Sequence, residues 1–498
     1  MKRKLFGPGL VTIMIFAQMS AAAGPPSESA LAKGRRAYER GDYASALDLA
    51  KEAQRAAPGD LDVFELWARA NMAVGQPRAA LGPLAQLVAR RGLASDYRLQ
   101  AAALKMSGRL TEASASLLKA ASAEKADAAD LYALSWTAPD AASRASLLKR
   151  LAASRPDLAA VAGAEAAFWE KRGATVLRQA AAPPPGGVEV PLKTLYDLEW
   201  AVVRSGSGEE IWLLFDTACR ETVLSDETAK KLGLETVTGA LPPAGAYAEE
   251  SAHSYAVVDS LDLGGYKVAN VPVLVCEAPT GLLKYREGRV VCKGILGMDL
   301  LEGLQATFDR KKNVLRLLPP DAPRSTLLEG KPEEWTELPA FDVDGQVMVP
   351  ASLGDQPNTL ALLSTGCTLT LASGPALEPT GLKVDGRKTV TLGPGASYYL
   401  PGQAVGTAMS RMDRVQGFPL GWMDVCLPPP GTVRVVPKTS PVGFGTAVFQ
   451  APDLPVYPRA LGGSVPASLV VGKQITDFYT IALDLPHGRM FTKKVLFN

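Results

Sequence analysis

Histidine is almost absent from this sequence, which has only His253 and His487 among its 498 residues. Zinc hydrolases usually hold their metal with two or three imidazole groups, and a Ser-His-Asp triad needs a histidine as its base. The scarcity of histidine therefore argues against both classes of enzyme. We expect no metal site and no other cofactor.

An excess of positive charge is also missing, because 53 Lys and Arg residues stand against 51 Asp and Glu residues. Proteins that bind nucleic acid rely on such an excess to neutralise phosphates, so we expect no nucleic-acid partner. Hydrophobic residues make up 47% of the chain and charged residues 21%, which is typical of folded globular proteins. The length predicts about two to four domains.

Cysteine is scarce, and its count of five is odd. In an oxidising compartment, an odd number leaves at least one thiol free or paired with another chain. Cys276 and Cys292 close a short loop, and we favour them as a disulfide pair. Spacing alone does not fix the connectivity.

Long hydrophobic runs are absent except at the N-terminus, which has the pattern of a secretory signal peptide. Residues 2–4 are basic, an apolar stretch of about 15 residues follows, and residues 21–23 are all alanine. The stretch is interrupted by Pro8 and its two neighbouring glycines and is too short to span a bilayer. We expect residues 1–23 to be removed on export to the periplasm or the medium, leaving no membrane span. An uncleaved anchor is the alternative.

Residues 27–178 are rich in Ala, Leu and Arg, with apolar residues at helical spacing. Gly41 and Gly75 lie 34 positions apart, and Gly108 belongs to a third copy that is slipped by one residue. This pattern resembles the tetratricopeptide repeat. The resemblance implies a helical solenoid that binds peptides or a partner protein. The alternative is a short array that packs on its neighbour as a scaffold.

The stretch 179–187 is rich in proline and glycine and marks a domain boundary. Beyond it, the helical spacing gives way to short runs of Val, Leu and aromatic residues between glycine turns, which are typical of an all-β fold. We therefore predict a multidomain chain, with an N-terminal α-helical solenoid similar to tetratricopeptide repeats and an all-β part after it.

The strongest motif begins in the apolar run 211–215, which leads into Asp216, Thr217 and Ala218. A second motif, Ile-Leu-Gly at 295–297, follows about 75 residues later. Taken together, the two motifs resemble one lobe of a retropepsin-like aspartic protease. In that family a hydrophobic strand delivers the Asp-Thr-Gly/Ala loop, and a later hydrophobic-hydrophobic-Gly strand crosses beneath it.

The resemblance to retropepsins implies a particular chemistry. Aspartic proteolysis uses two carboxylates that share one proton, one to activate a water molecule and the other to protonate the scissile carbonyl oxygen. The threonine of each loop bonds across to the other loop, and the small third residue lets the two loops touch. One lobe supplies one carboxylate, so the family needs a homodimer or a second lobe in the same chain.

A second lobe is indicated by an internal repeat, because residues 213–225 align with residues 361–373 at an offset of 148. We predict an intrachain pseudo-dimer of two retropepsin-like lobes, the first at 188–320 and the second at 333–498. The second loop departs from the family, since it reads Ser364, Thr365 and Gly366. A serine hydroxyl has no pKa near neutrality and cannot hold the shared proton.

We predict an exported aspartic endopeptidase that hydrolyses peptide bonds in proteins, with Asp216 activating the water. This reading requires a homodimer of two first lobes or a further carboxylate from the second lobe. One alternative is a pseudoprotease whose cleft binds an extended peptide without cutting it, which Ser364 favours. Another is a scaffold whose repeats recruit a partner. The stretch 241–254 lies where the family has its flap, with Tyr247 positioned to contact a peptide; a plain surface loop is the alternative.

Overall fold

The computed structural model describes residues 28–495 except for 125, 196–197, 241–252, 277–292, 368–369, 393–430, 445–446 and 458–460. Three predictions depend on residues outside this set: the signal peptide at 1–23, Tyr247 as a flap residue, and the pairing of Cys276 with Cys292, of which Cys276 alone is described. Cys219 is disulfide-bonded. Among the residues that are described, no helix is long and apolar enough to cross a bilayer.

The N-terminal part of the chain is an array of helices, as the spacing of its apolar residues predicts. The helices described up to residue 170 are α1 (Ala30–Glu39), α2 (Tyr43–Ala56), α3 (Leu61–Ala73), α4 (Pro77–Arg90), α5 (Ala94–Met106), α6 (Leu110–Ser122), α7 (Ala128–Trp136), α8 (Ala141–Ser154) and α9 (Ala159–Glu170). Alanines such as Ala46 and Ala80 are wholly buried, because small side chains allow neighbouring helices to approach closely.

The repeated glycines end three of these helices. Gly41, Gly75 and Gly108 follow α1, α3 and α5, with φ angles of 78°, 72° and 75°. Glycine adopts this left-handed backbone at little cost, so each first helix of a pair stops where the sequence supplies one. Helix α2 then starts on a side-chain cap: the carboxylate of Asp42 accepts a hydrogen bond from the N–H of Ser45 at 3.0 Å.

Beyond the helices the chain is mostly β-strand. The first lobe has a short helix α10 (Asp226–Lys231) and the strands β1 (Gln179–Ala180), β2 (Val188–Leu195), β3 (Leu198–Ser205), β4 (Glu210–Phe215), β5 (Val223–Ser225), β6 (Val237–Thr238), β7 (His253–Leu263), β8 (Tyr266–Cys276), β9 (Gly294–Leu296), β10 (Gln305–Asp309) and β11 (Val314–Leu318). A short helix α11 (Arg324–Leu327) follows it.

The second lobe has two short helices, α12 (Gly374–Leu377) and α13 (Lys473–Thr476). Its strands are β12 (Thr336–Pro339), β13 (Phe341–Val343), β14 (Gln346–Leu353), β15 (Gln356–Leu363), β16 (Leu371–Ser373), β17 (Asp385–Leu392), β18 (Gly431–Phe444), β19 (Ala447–Tyr457), β20 (Leu461–Gly462), β21 (Pro466–Ala467), β22 (Leu469–Val471), β23 (Tyr479–Asp484) and β24 (Arg489–Lys494). The predicted fold class, helices followed by a β-rich double lobe, is confirmed.

The strands of the two lobes are hydrogen-bonded in the same order. The order β2-β3-β4-β9-β5-β8-β7-β6 in the first lobe corresponds to β13-β14-β15-β22-β16-β19-β18-β17 in the second. An extra pairing of β3 with β7 has its counterpart in β14 with β18. The internal sequence repeat therefore corresponds to a repeated topology.

A sheet shared by both lobes joins them on one side. Strand β10 of the first lobe pairs antiparallel with β23 of the second, with Phe308 opposite Ile481. The shared part of the sheet runs β12-β24-β23-β10-β11-β2. Each lobe thus supplies strands that complete the other.

Apolar side chains on the central strands alternate between two cores, as the period of two in a strand requires. Leu213 and Phe215 of β4 point into the core that contains the shared sheet, together with Phe308. Leu214 points to the opposite face, into a core that also contains residues of the helical array such as Met72. The β-domain is therefore covered on one face by its own sheet and on the other by the helices.

Candidate active site

The first loop follows a strand that is apolar on both faces. Strand β4 lies in the interior of its sheet, paired in parallel with β9 so that Leu214 is opposite Ile295. The N–H of Asp216 continues this ladder by donating to the carbonyl of Leu296 at 3.3 Å. Asp216 is therefore placed at the end of a central strand, where the backbone is fixed by hydrogen bonds on both sides.

The second loop is built in the same way. Strand β15 pairs in parallel with β22, with Leu362 opposite Val470. The N–H of Ser364 donates to the carbonyl of Val471 at 3.0 Å. Ser364 thus has the same position relative to β15 that Asp216 has relative to β4.

The two loops are held together by their threonines. The hydroxyl of Thr365 donates to the carbonyl of Phe215 at 2.8 Å and accepts from the N–H of Thr217 at 3.2 Å. The hydroxyl of Thr217 donates to the carbonyl of Leu363 at 2.5 Å. Both threonines are almost completely buried, so these hydrogen bonds satisfy polar groups that are shielded from solvent.

Glycine at position 366 is required by the close approach of the loops. A β-carbon added to Gly366 would lie 2.8 Å from Cβ, Cγ and Oδ2 of Asp216. Such distances are far inside van der Waals contact. The missing side chain of Gly366 therefore makes room for the carboxyl group of Asp216.

The functional groups of positions 216 and 364 are in direct contact. The hydroxyl of Ser364 donates to Oδ1 of Asp216 at 2.8 Å, and the N–H of Ala218 donates to the same oxygen at 3.0 Å. The oxygen of Ser364 accepts in turn from the N–H of Cys367 at 2.9 Å. A carboxyl group thus faces a hydroxyl group where the family has two carboxyl groups.

The environment of Asp216 is dry, and the residue is only 2% exposed. Burial raises the pKa of Asp216 above its ordinary value, because an ionised carboxylate loses its hydration there. Hydrogen bonds from the Ala218 N–H and the Ser364 hydroxyl oppose this effect by stabilising the ionised form. The rise in pKa shows that burial outweighs them.

The structure brings together Asp216, Thr217, Ala218, Ser364, Thr365 and Gly366, whose catalytic roles stay predictions. Tyr247, predicted to lie over them, is outside the described residues. Among the residues that are described, no group of His, Cys, Asp and Glu side chains is arranged to hold a metal ion.

Sequence reasoning did not single out the charged pair that follows the first loop, Arg220 and Glu221. Both line a cavity of about 370 Å³ between the helices and the lobes, with Trp136 and Asp299 among its other walls. Burial raises the pKa of Glu221 to about 7. The one sequence signal was their position directly after the Asp-Thr-Ala-Cys segment.

Comparison with known proteins supports the interpretation of the first lobe. Residues 202–300, which include the first loop and the Ile-Leu-Gly strand, match the family described as aspartyl protease. No curated protein matches the sequence. The chain therefore contains an aspartyl protease-like domain.

Solved structures give distant likenesses. An aspartic proteinase from Irpex lacteus is 13% identical, with 62% of this chain and 97% of that chain covered and a TM-score of 0.33. Conglutin gamma, a basic 7S globulin from lupine seeds, is 11% identical, with coverages of 63% and 96% and a TM-score of 0.33. MamA protein is 18% identical, with coverages of 28% and 81% and a TM-score of 0.23. At these scores the likenesses add no weight to the assignment.

Proposed function

We propose that the chain is an aspartic-type endopeptidase in which Asp216 activates the water that attacks a peptide bond. The observation that carries the proposal is the contact between Asp216 and Ser364 across two loops locked by their threonines. Such rigid placement is what general base catalysis requires, because the base must lie within hydrogen-bond reach of the water.

Asp216 and Ser364 would have unequal roles. Ionised Asp216 accepts a proton from the attacking water and passes it to the nitrogen of the leaving amine, while the Ser364 hydroxyl orients the carboxylate through its hydrogen bond to Oδ1. Serine cannot act as the acid that a second aspartate supplies. We therefore expect hydrolysis to be slower than with two carboxylates by about 10²- to 10⁴-fold, the usual contribution of a general acid or base.

The intrachain pair, rather than a dimer of first lobes, is the site we propose. The first loop already uses its cross-loop groups, Thr217 and the carbonyl of Phe215, on the second lobe. Strand β10 is likewise paired with β23. A homodimer of first lobes would have to break all of these contacts.

A second candidate function is a pseudoprotease that binds an extended peptide without cutting it. The specific observation in its favour is Ser364, which is wholly buried and occupies the place of the second carboxylate. In this case the cross-loop contacts preserve the shape of the site and leave it without chemistry.

Hydrolysis of an unfolded protein substrate at mildly acidic pH tests both candidates. We expect Asp216→Asn to abolish cleavage, because the amide cannot accept the proton of water, and the exposed control Asp259→Asn to leave it unchanged. Cleavage that survives Asp216→Asn would exclude the aspartic mechanism. A wild type without activity, together with a Ser364→Asp variant that cuts, would establish the pseudoprotease.

Export is part of the proposal. The disulfide at Cys219 supports it, because disulfides persist mainly in oxidising compartments. We propose a periplasmic or secreted protein whose substrates are peptides or unfolded proteins of that compartment. N-terminal sequencing of the protein recovered from the host's periplasm or medium would identify the cleavage point expected after residue 23.

A further inference from the structure

The paired loops have two faces, and the shared sheet covers one of them. On that face, the ring of Phe215 packs on Phe308 of β10, with ring centroids 5.4 Å apart. Strand β10 is itself paired with β23. Within the described part of the chain, the shared sheet therefore closes that face and leaves the face of Leu214 and Leu362 as the approach to Asp216.

The helical array packs on this open face. Ala218 and Cys219 of the first lobe and Cys367 of the second belong to one continuous core with helix residues such as Met72 and Leu134. With the lobes and the helices both in place, Asp216 is 2% exposed and Ser364 is 0% exposed. The pair is therefore almost completely shielded from solvent in this arrangement.

The turns of the array dock on the second lobe. The position of a β-carbon on Gly75 lies 3.4 Å from Leu360 and 3.7 Å from Phe341, two side chains in the core that faces the helices. A β-carbon on Gly41 would lie closer still, 2.9 Å from the carbonyl carbon and oxygen of Pro375. The same turns that end α1 and α3 are therefore contact points with the second lobe.

The last three helices dock on the first lobe. The hydroxyl of Tyr132 donates to that of Tyr255 at 3.1 Å, and the ring centroids of Trp136 and Tyr255 are 4.6 Å apart. Glu165 accepts a hydrogen bond from the N–H of Ala240 at 3.0 Å. Ala240 directly precedes the stretch predicted as the flap.

Charges link the array to both lobes at one residue. Lys105, at the end of α5, forms ion pairs with Glu302 of the first lobe and with Asp342 of the second, the latter at 3.4 Å. A single ammonium group thus bridges the two halves of the β-domain from the side of the helices.

The same interface contains a buried guanidinium group, whose loss of hydration is unfavourable. Arg144 is wholly buried between the rings of Trp136 and Trp169, 4.2 and 4.1 Å from its guanidinium carbon, and its three nitrogens have no hydrogen-bond partner among the described residues. The nearest carboxylate oxygen, of Glu165, is 3.7 Å away. A buried guanidinium without hydrogen bonds gains hydration when an interface opens, which offsets part of the apolar contact that is lost.

We propose that helices α1 to α9, residues 30–170, form a cap that closes the substrate face of the same chain's active site. Hydrolysis then requires the cap to move off the lobes. The proposal rests on the proposed function insofar as it takes this face to be the substrate site. The partner of the helical repeats is accordingly the chain's own β-domain.

The test uses the full chain with the substitution Lys105→Glu, which places a third carboxylate beside Glu302 and Asp342 and repels the cap. We expect amide hydrogen exchange in residues 213–225 and 361–373 to accelerate about tenfold, since like charges at an interface are strongly unfavourable. Cleavage of an unfolded protein is expected to rise with it. Exchange in the shared sheet, residues 305–318, should stay unchanged, which shows that the lobes remain folded.

Two further variants serve as controls. Lys105→Glu combined with Glu302→Lys restores an opposite-charge pair, so exchange and cleavage should return toward the wild-type values. Lys149→Glu reverses an exposed charge whose partner, Glu170, belongs to helix α9 of the same array. It should therefore change neither the amide exchange nor the cleavage. Tyr132→Phe provides a second, milder way to loosen the cap if Lys105→Glu fails to fold.

The outcomes separate the cap from the catalytic proposal. Faster exchange with faster cleavage supports both. Faster exchange without cleavage, even when Ser364→Asp is added, supports the cap and overturns the endopeptidase. Unchanged exchange at both loops in Lys105→Glu and Tyr132→Phe, or wild-type cleavage as fast as that of the loosened variants, overturns the cap.

Discussion

In the first lobe the hydroxyl of Thr222 accepts a hydrogen bond from the N–H of Gly297 at 3.3 Å, and in the second lobe Thr370 does the same for Gly472 at 3.4 Å. The backbones of the two loops are thus supported alike, although one presents a carboxyl group and the other a hydroxyl group. The shape of the two loops therefore depends on their threonines and glycines, whereas their functional group depends on the residue before the first threonine.

Exchanging the carboxyl and hydroxyl groups between the two loops should have the largest effect on activity. Asp216→Ser alone should remove cleavage, while Asp216→Ser combined with Ser364→Asp moves the single carboxylate to the second loop. Because the backbones of the two loops are hydrogen-bonded alike, we expect the exchanged variant to recover activity to within about tenfold of wild type, against a loss of about 10²-fold or more for the single change. The measurement is kcat/KM on one peptide.

An exchanged variant as inactive as Asp216→Ser would show that the lobes bind substrate unequally. The position of the carboxylate would then matter as well as its presence.

A methyl group at the third position of the second loop should have the next largest effect. Gly366→Ala forces a β-carbon to within 2.8 Å of the Asp216 carboxyl group, so we expect a loss of about 1–3 kcal/mol in the free energy of unfolding, typical of overpacking. Urea denaturation measures it. The first loop tolerates Ala218 at the equivalent position, so the loops differ here in shape.

Gly82→Ala is the matched control, because a β-carbon there meets no atom within 4 Å and the residue lies inside α4. It should raise stability by about 0.5–1 kcal/mol, the usual gain for alanine over glycine in a helix. Equal effects of the two substitutions would contradict the close approach of the loops.

The smallest expected effect concerns pH. The pKa of Asp216 is raised in the folded chain, so its contribution to stability is complete below the ordinary value of 3.8 and is lost as the pH rises through the folded pKa. Asp216→Asn has no such loss. The variant should therefore gain stability relative to wild type as the pH is raised from about 4 toward neutrality.

Urea denaturation at several pH values measures this difference, and Asp259→Asn, an exposed carboxylate, is the control. Ser364→Ala removes the hydrogen bond that stabilises ionised Asp216, so it should lower stability more near neutral pH than at pH of about 4. A difference between wild type and Asp216→Asn that is independent of pH would contradict the dry environment of the carboxyl group.

Much of the frame was predictable because it is local or repeated. All five residues of the run 211–215 are apolar, which predicts a strand buried on both faces. The offset of 148 predicted that Thr217 and Thr365 correspond, and the structure brings them into contact. Glycines at 34-residue spacing predicted the turns of the helical array because each needs a positive φ.

The rest could not be predicted because it depends on pairings without a local signal. Nothing in the residues around Phe308 identifies Ile481 as its partner in the shared sheet. Lys105 looks like an ordinary helix-end cation, and its two carboxylate partners lie about 200 residues away or more. The packing of the helices against the two lobes was therefore not predictable from the sequence.

The shared sheet has a consequence for the order in which the site can form during synthesis. Strands β23 and β24 are the last strands described, and β23 completes β10 in the middle of that sheet. The helices are made first and the partner strands of β10 last, so the loops cannot lock until translation of the second lobe is nearly finished. In a newly made chain the helices would therefore be complete before the two loops of the candidate site can meet.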